Sequence, residues 1–342
     1  MRAVVMDSGG AVRVADLPDP ELPGPTGVVV GVDAAAICGS DLHFYDGDLP
    51  AVDGLSIGHE AVGRVVETGS AVTRFAVGDR VMVSCIMGCG HCPGCGAGDP
   101  AICDTGSTLF GFGAGLGGGQ AELLAVPNAD STLMSLPDDV TDEAALLLTD
   151  NLSTAWTAAR RGDVRPGGSV LVLGLGAVGL CAVRCALALG AATVYAYDPV
   201  EGRRRRAVGS GGTAIGDDTI AEVMEATAGR GVDVVIDAVA TDRSLDCAFA
   251  SVKAGGTISV VGVHDLNPYP MPILTGVFRS ITLRMSMAAV QSAWRDVVPL
   301  VRAQKLATSG IFTHTFALDD APAAYAQVAA RSPDCVKALL TV

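Results

Sequence analysis

Three groups of residues in the chain have the types and spacings that chemistry requires. Cys89, Cys92, Cys95 and Cys103 fall within fifteen positions, separated by two, two and seven residues. Such a cluster can be a disulfide knot, a redox centre, a nucleic-acid-binding zinc finger or a structural metal staple, and each implies a different protein. Upstream, Cys38 sits in AAAICGSDLHFY and His59 in GHEAVG, and Asp150 follows in LLLTDNLSTAW. A thiolate, an imidazole and a carboxylate are donors that zinc accepts, and three protein ligands leave a fourth position for water or substrate. The third group is GLGAVG at residues 174–179, which fits G-x-G-x-x-G.

Charge narrows these readings. The 342 residues carry 23 Lys and Arg against 37 Asp and Glu, a net charge of −14. A nucleic-acid surface needs clustered cations to neutralise phosphates, so this balance argues against the zinc-finger reading. The start, MRAVVMDSGG, lacks a long apolar run before a small-residue cleavage site, and a cytoplasmic protein is expected. In a reducing compartment the ten cysteines read as metal ligands or buried thiols rather than disulfides. Cys181, Cys185 and Cys247 fall on helix-like segments and are read as buried thiols, while His91 and His264 are assigned no chemistry.

The elements that must position these groups follow from hydrophobic pattern. The length exceeds that at which a single core stops growing, which predicts two domains. Short Val-rich runs in the first 130 residues, such as VVVGVDAAAI and DRVMVSC, predict a mostly β domain. GFGAGLGGG, residues 111–119, is read as a mobile loop without a chemical role. From Val170 apolar strands alternate with helix-length segments, which predicts βαβ units and a parallel sheet. Residues 171–197 are apolar enough to suggest a membrane span, but Arg184 and the interrupting glycines favour a buried strand, helix and strand, and no membrane association is expected. The division predicted is residues 1–150 with 288–342, and residues 151–287.

GLGAVG directly follows the strand VLVL and opens a helix, where backbone N–H groups and the helix dipole can hold a pyrophosphate. Asp198, nineteen residues after Gly179 at the end of the next strand, can accept hydrogen bonds from the adenosine ribose. Its charge would repel a 2′-phosphate, which favours NAD. The run GRRRR at 202–206 could pair with such a phosphate, although a solvated basic face is the simpler reading.

The order CGSDLH, GHE, four cysteines and GLGAVG resembles the zinc-dependent medium-chain dehydrogenase/reductase family, the zinc alcohol dehydrogenases, over essentially the whole chain. It looks most similar to a bacterial formaldehyde-dehydrogenase-like branch. The resemblance implies an α/β protein, a Rossmann doubly wound parallel sheet joined to a mostly β, GroES-like catalytic domain that carries two zinc ions. It implies Cys38, His59 and Asp150 as ligands of a catalytic zinc, with Glu60 as a carboxylate able to approach the metal and Asp41 steadying the histidine. Many members have Cys at the third position. Asp150 departs from them, and an oxygen donor leaves zinc a stronger Lewis acid. Cys89, Cys92, Cys95 and Cys103 would close a structural zinc site whose binding energy becomes folding energy.

By the same resemblance, Ser40 matches a hydroxyl that bonds the substrate oxygen and His43 the last station of a proton relay. Gly174, Gly176, Gly179 and Asp198 match the dinucleotide motif, Thr154 and Val178 seat the nicotinamide, Arg203 lies near the adenosine ribose, and Lys337 contacts the pyrophosphate. The implied activity is NAD-dependent hydride transfer from an alcohol, held as its zinc alkoxide, to give an aldehyde or ketone. A formaldehyde adduct, a polyol or an amino-sugar hydroxyl is the alternative substrate. A different class, a non-catalytic zinc- and dinucleotide-binding redox sensor, predicts at least one broken catalytic position, and none is broken here. Relatives are dimers or tetramers, so a homo-oligomer is expected, preferably a tetramer, in which residues 264–285 could extend a sheet between subunits.

Overall fold

Val28–Ile37, with the sequence VVVGVDAAAI, is buried along most of its length because it runs through the middle of a seven-stranded sheet. This is seen in a computed structural model that describes all residues except 114 and 264–266. The chain forms two units, Met1–Ser153 with Ala288–Gln304 and Thr308–Val342, and Thr154–Met287 with Lys305–Ala307.

In the first unit the sheet runs in the order Leu133–Ser135, Arg80–Val83, Glu60–Thr68, Val28–Ile37, Lys337–Thr341 and Phe312–Ala317, and Leu123–Val126 also pairs with the central strand. Neighbours are antiparallel except the last pair. Register matters most at one end. Ala36 lies opposite Glu60 and Ile37 opposite Ala338, so Cys38, the pair His59–Glu60 and Lys337 emerge together from three adjacent strands. Val30, Ile37, Val65, Val83, Phe110 and Tyr325 belong to the core that fixes this register.

The second unit is built on six parallel strands in the order Thr213–Ala214, Thr193–Tyr197, Ser169–Leu173, Val232–Asp237, Val252–Val260 and Thr282–Met285. The chain builds outward from Ser169–Leu173 on one side and then returns to build on the other, which creates a switch point at the carboxyl end of that strand. The apolar stretch 171–197 resolves into strand Ser169–Leu173, helix Ala177–Ala188 and strand Thr193–Tyr197. Among the described residues no helix is long and apolar enough to cross a membrane. Cys181 and Cys185 are buried in helix Ala177–Ala188, and Cys247 is half-buried in Asp242–Ser251. His264 lies outside the described residues, as does the start of the segment 264–285.

Candidate active site and metal centres

Each element delivers its group for a local reason. Cys38 leaves the central strand into a one-turn helix, Asp41–Tyr45, preceded by Ser40. His59 precedes the strand that begins at Glu60. Asp150 ends the helix Asp142–Thr149, which starts on a Thr141 cap. Helix termini leave carbonyls without intrahelical partners. Here Ser153 Oγ and Trp294 Nε1 donate to the Leu148 carbonyl at 2.6 and 2.8 Å, and the Cys85 N–H donates to that of Thr149 at 3.1 Å. These bonds hold the helix end from which Asp150 follows.

The side chains converge. Cys38 Sγ lies 3.3 Å and His59 Nε2 3.4 Å from Asp150 Oδ2, and Ser40 Oγ is 3.4 Å from His59 Nε2. Donor atoms of Cys38, His59, Glu60 and Asp150 all lie within 4.8 Å of one another. Desolvated anions need a compensating cation. Burial, then the charges of Asp150 and Glu60, push the Cys38 thiol up, and burial pushes the Glu60 carboxyl up to about 7 although Lys337 pulls it down. Burial works against a charged His59 ring, but Asp41 and Cys38 outweigh it and hold its pKa well above the usual value. One sulfur, one nitrogen and two carboxylates in a water-poor site fit a zinc dication, which would reverse the bias on Cys38 toward thiolate.

The four thiols of the second cluster also lie within 4.8 Å of one another. Cys92 caps the short helix Pro93–Gly96, with its sulfur facing the Cys95 N–H, and the Cys89 N–H faces Cys103 Sγ at 3.3 Å. The Thr105 hydroxyl and the Cys89 N–H bring Cys103 down to about 6. A Cβ on Gly88 would sit 2.5 Å from Cys95 Sγ, so only glycine leaves room for the cluster. Four sulfurs at these distances fit a closed tetrahedral zinc with no position left for substrate.

In the second unit the glycine turn divides its work. Gly174 has φ +81°, and a Cβ on Gly179 would lie 1.7 Å from the Gly174 carbonyl oxygen. A Cβ on Gly176 would meet nothing within 4 Å, so bare backbone faces open space where the helix Ala177–Ala188 begins. This fits a dinucleotide pyrophosphate. Asp198 accepts from the Leu175 and Val200 N–H groups, both at 2.8 Å, and Arg203 Nη1 lies 3.6 Å away. The carboxylate therefore pins the glycine turn as well as marking the end of its strand. Arg204 pairs with Asp217, and Arg205 with Glu201. Thr154 is buried in helix Asn151–Arg161, and Val178 lies in the first turn of Ala177–Ala188.

Other expected residues have specific partners. His43 Nδ1 lies 3.0 Å from Asp48 Oδ2. Lys337, expected at a pyrophosphate, places Nζ 2.6 Å from Glu60 Oε2 and 3.2 Å from the Ile37 carbonyl within its own unit. His91 is exposed and bonds the Cys89 carbonyl. Cys85 is buried, and burial, then Asp150, push its thiol well above the usual range.

Two residues escaped the sequence reading. Asn151 is fully buried and donates to Asp150 Oδ2 at 3.0 Å and Cys38 Sγ at 3.6 Å; the signal was a third polar residue, after Thr149 and Asp150, inside the apolar run LLLTDNL. Phe112, inside GFGAGLGGG, meets the His59 ring edge-on at 5.5 Å and Phe44 at 5.0 Å. Reading that run as slack missed what its glycines do in the described part. A Cβ on Gly118 would lie 1.9 Å from the Ile57 oxygen and one on Gly111 2.6 Å from Gly58 N, so close backbone approach requires them.

Residues 24–138 match the alcohol dehydrogenase GroES-like domain and residues 177–303 the zinc-binding dehydrogenase model. The Mycobacterium tuberculosis protein named probable zinc-binding alcohol dehydrogenase is 55% identical over 332 residues, 97% of this chain and 86% of that one. An alcohol dehydrogenase of Cupriavidus necator is 31% identical over 347 residues, covering 95% and 94%. The solved alcohol dehydrogenase TADH from Thermus sp. ATN1 superposes with a TM-score of 0.94 at 34% identity over 100% of both chains. The chain belongs to the zinc-binding alcohol dehydrogenase family of medium-chain dehydrogenases.

Proposed function

We propose that the protein is an NAD-dependent zinc alcohol dehydrogenase that interconverts a small-molecule alcohol and its aldehyde or ketone. The observation that carries this reading is the convergence of Cys38 Sγ, His59 Nε2 and Asp150 Oδ2 beside the Ser40 hydroxyl. Zinc bound there supplies a Lewis acid for the alcohol oxygen. Ser40 is placed to hydrogen-bond that oxygen and to accept its proton while giving up its own hydroxyl proton onward to His43. His43, three residues on in the same helical turn and held by Asp48, releases the proton to water. Phe112 and Phe44 give the His59 side of the site an apolar wall. Asp198 binds the adenosine ribose and disfavours a 2′-phosphate, with Arg203 beside it.

The sheet edge Thr282–Met285 and the neighbouring helix Ile273–Phe278 expose Ile273, Leu274, Val277, Phe278 and Met285, which supports a second copy of the chain pairing there. All ten cysteines lie outside disulfides, which suits a reducing cytoplasm.

The test is formation of reduced nicotinamide, from NAD and from NADP, across short, long, cyclic, aromatic and polyol alcohols and formaldehyde with and without a thiol carrier. Turnover with at least one alcohol and a preference for NAD are expected. A zinc-loaded protein that binds NADH but oxidises nothing in the panel would overturn the reading in favour of a sensor.

A further inference from the structure

We propose that Gln120 and Tyr325 are positioning residues for His59, acting on it through Asp41 along one buried chain of contacts. The proposal rests on the reading of His59 as a zinc ligand. All four side chains lie out of reach of water, with relative exposures of 0% for Gln120, 0% for Tyr325, 1% for Asp41 and 3% for His59.

The chemistry of the chain runs in one direction. The Tyr325 hydroxyl donates to Gln120 Oε1 at 2.9 Å. The other end of the amide, Nε2, donates to the Ala36 carbonyl at 3.0 Å and to Asp41 Oδ2 at 3.3 Å. A carbonyl and a carboxylate only accept, so the amide cannot be reversed without setting three acceptors against one another. Asp41 Oδ2 also receives the Cys38 N–H at 2.9 Å, and Oδ1 remains for His59 Nδ1 at 3.1 Å. That contact falls short of linear hydrogen-bond geometry, but it keeps a carboxylate on the Nδ1 side. A carboxylate on that side favours a proton at Nδ1, which would leave Nε2, the atom that faces Asp150 and Ser40, to donate its lone pair to a metal.

Backbone contacts reinforce the link. The Gln120 N–H donates to the Ile57 carbonyl at 3.2 Å and the Gly119 N–H to that of Gly58 at 2.7 Å. Gly58 has φ +94°, and a Cβ there would lie 2.4 Å from Gln120 Cγ. Gln120 therefore packs directly on the residue before His59. Tyr325, stacked on Tyr45 at 5.9 Å, lies on helix Ala321–Ala329, so a segment near the carboxyl terminus bears on the candidate metal site.

The experiment compares zinc release to a chelator, followed with a colour indicator, from the zinc-loaded full chain of wild type, Tyr325→Phe, Gln120→Met and His59→Ala, with melting temperatures alongside. Tyr325→Phe keeps the ring and Gln120→Met the length, while each deletes its hydrogen bonds. Zinc in the four-cysteine site is the internal reference. The zinc that His59→Ala removes should leave about 10-fold faster or more in both variants, with the reference zinc unchanged. If either variant fails to fold, the other makes the same discrimination. Unchanged release, or equal acceleration of both zincs in step with a lower melting temperature, would overturn the positioning role and leave the zinc assignment standing. A wild type holding one zinc that survives His59→Ala would overturn both readings.

Discussion

Lys337 and Glu60 form an ion pair, Nζ 2.6 Å from Oε2, between side chains that are 1% and 0% exposed. The pair joins the last strand of the chain to the strand that begins beside His59. Removing one partner of such a pair leaves a buried charge or forces it to neutralise, which costs about 3–5 kcal/mol. Lys337→Met is expected to lower stability by that amount, and adding Glu60→Gln should recover part of it. Denaturant titration of wild type, both single variants and the double variant measures the coupling; strictly additive effects would mean that the two groups do not interact.

The two clusters should separate by function. Purified protein is expected to hold two zinc ions per chain. Cys95→Ser should lose one of them together with melting temperature and solubility, because the closed site supports its own loop. Asp150→Ala should lose the other and its turnover. Zinc content, melting temperature and rate, measured on the same preparations, check this. Intact stability with abolished turnover in Cys95→Ser would show that the two sites are wrongly divided.

Asp198 accepts two backbone N–H bonds and is expected to face the ribose as well. Hydrogen bonds to charged groups are worth about 1.5–3 kcal/mol, so Asp198→Ala should weaken NAD binding about 10–100-fold. The preference for NAD over NADP should fall with it. Titration of both cofactors tests this, and a variant that keeps the ratio would place discrimination elsewhere.

Asp233 provides a pH signature in the second unit. Burial opposes its charge, but Lys253 and the Ser169 N–H and hydroxyl bring its pKa down to about 2 from 3.8. A depressed carboxyl contributes stability above its unfolded pKa and loses it as pH falls toward the folded value. The melting-temperature gap between wild type and Asp233→Asn should be constant from neutral pH to about pH 5 and shrink below about pH 4. A gap that does not vary with pH would assign the effect to packing.

Local signals carried much of this structure, and residues distant in sequence carried the rest. The strand before GLGAVG, the helix after it and Asp198 could be read because they occupy one contiguous βαβ stretch with a defined periodicity. The four cysteines were equally local. What brings Cys38 to His59, by contrast, is antiparallel register between Ala36 and Glu60, and what holds the helix end before Asp150 is a set of bonds from Ser153, Trp294 and Cys85. Spacing along the chain does not encode these. Lys337 illustrates the limit, since its residue type suits a phosphate as well as a carboxylate and only the register of Ala338 with Ile37 brings it to Glu60. Phe112 was hidden among glycines whose packing role depends on Ile57 and Gly58.

Cys38, His59 and Asp150 are expected to hold the ion on which alcohol oxidation depends. The most direct measurement is zinc per chain and alcohol-dependent NAD reduction on matched preparations of wild type and His59→Ala, each confirmed folded by its melting curve. Two zincs with turnover in the wild type, and one zinc without turnover in the variant, are the predicted result. Two zincs and undiminished turnover in His59→Ala would contradict it.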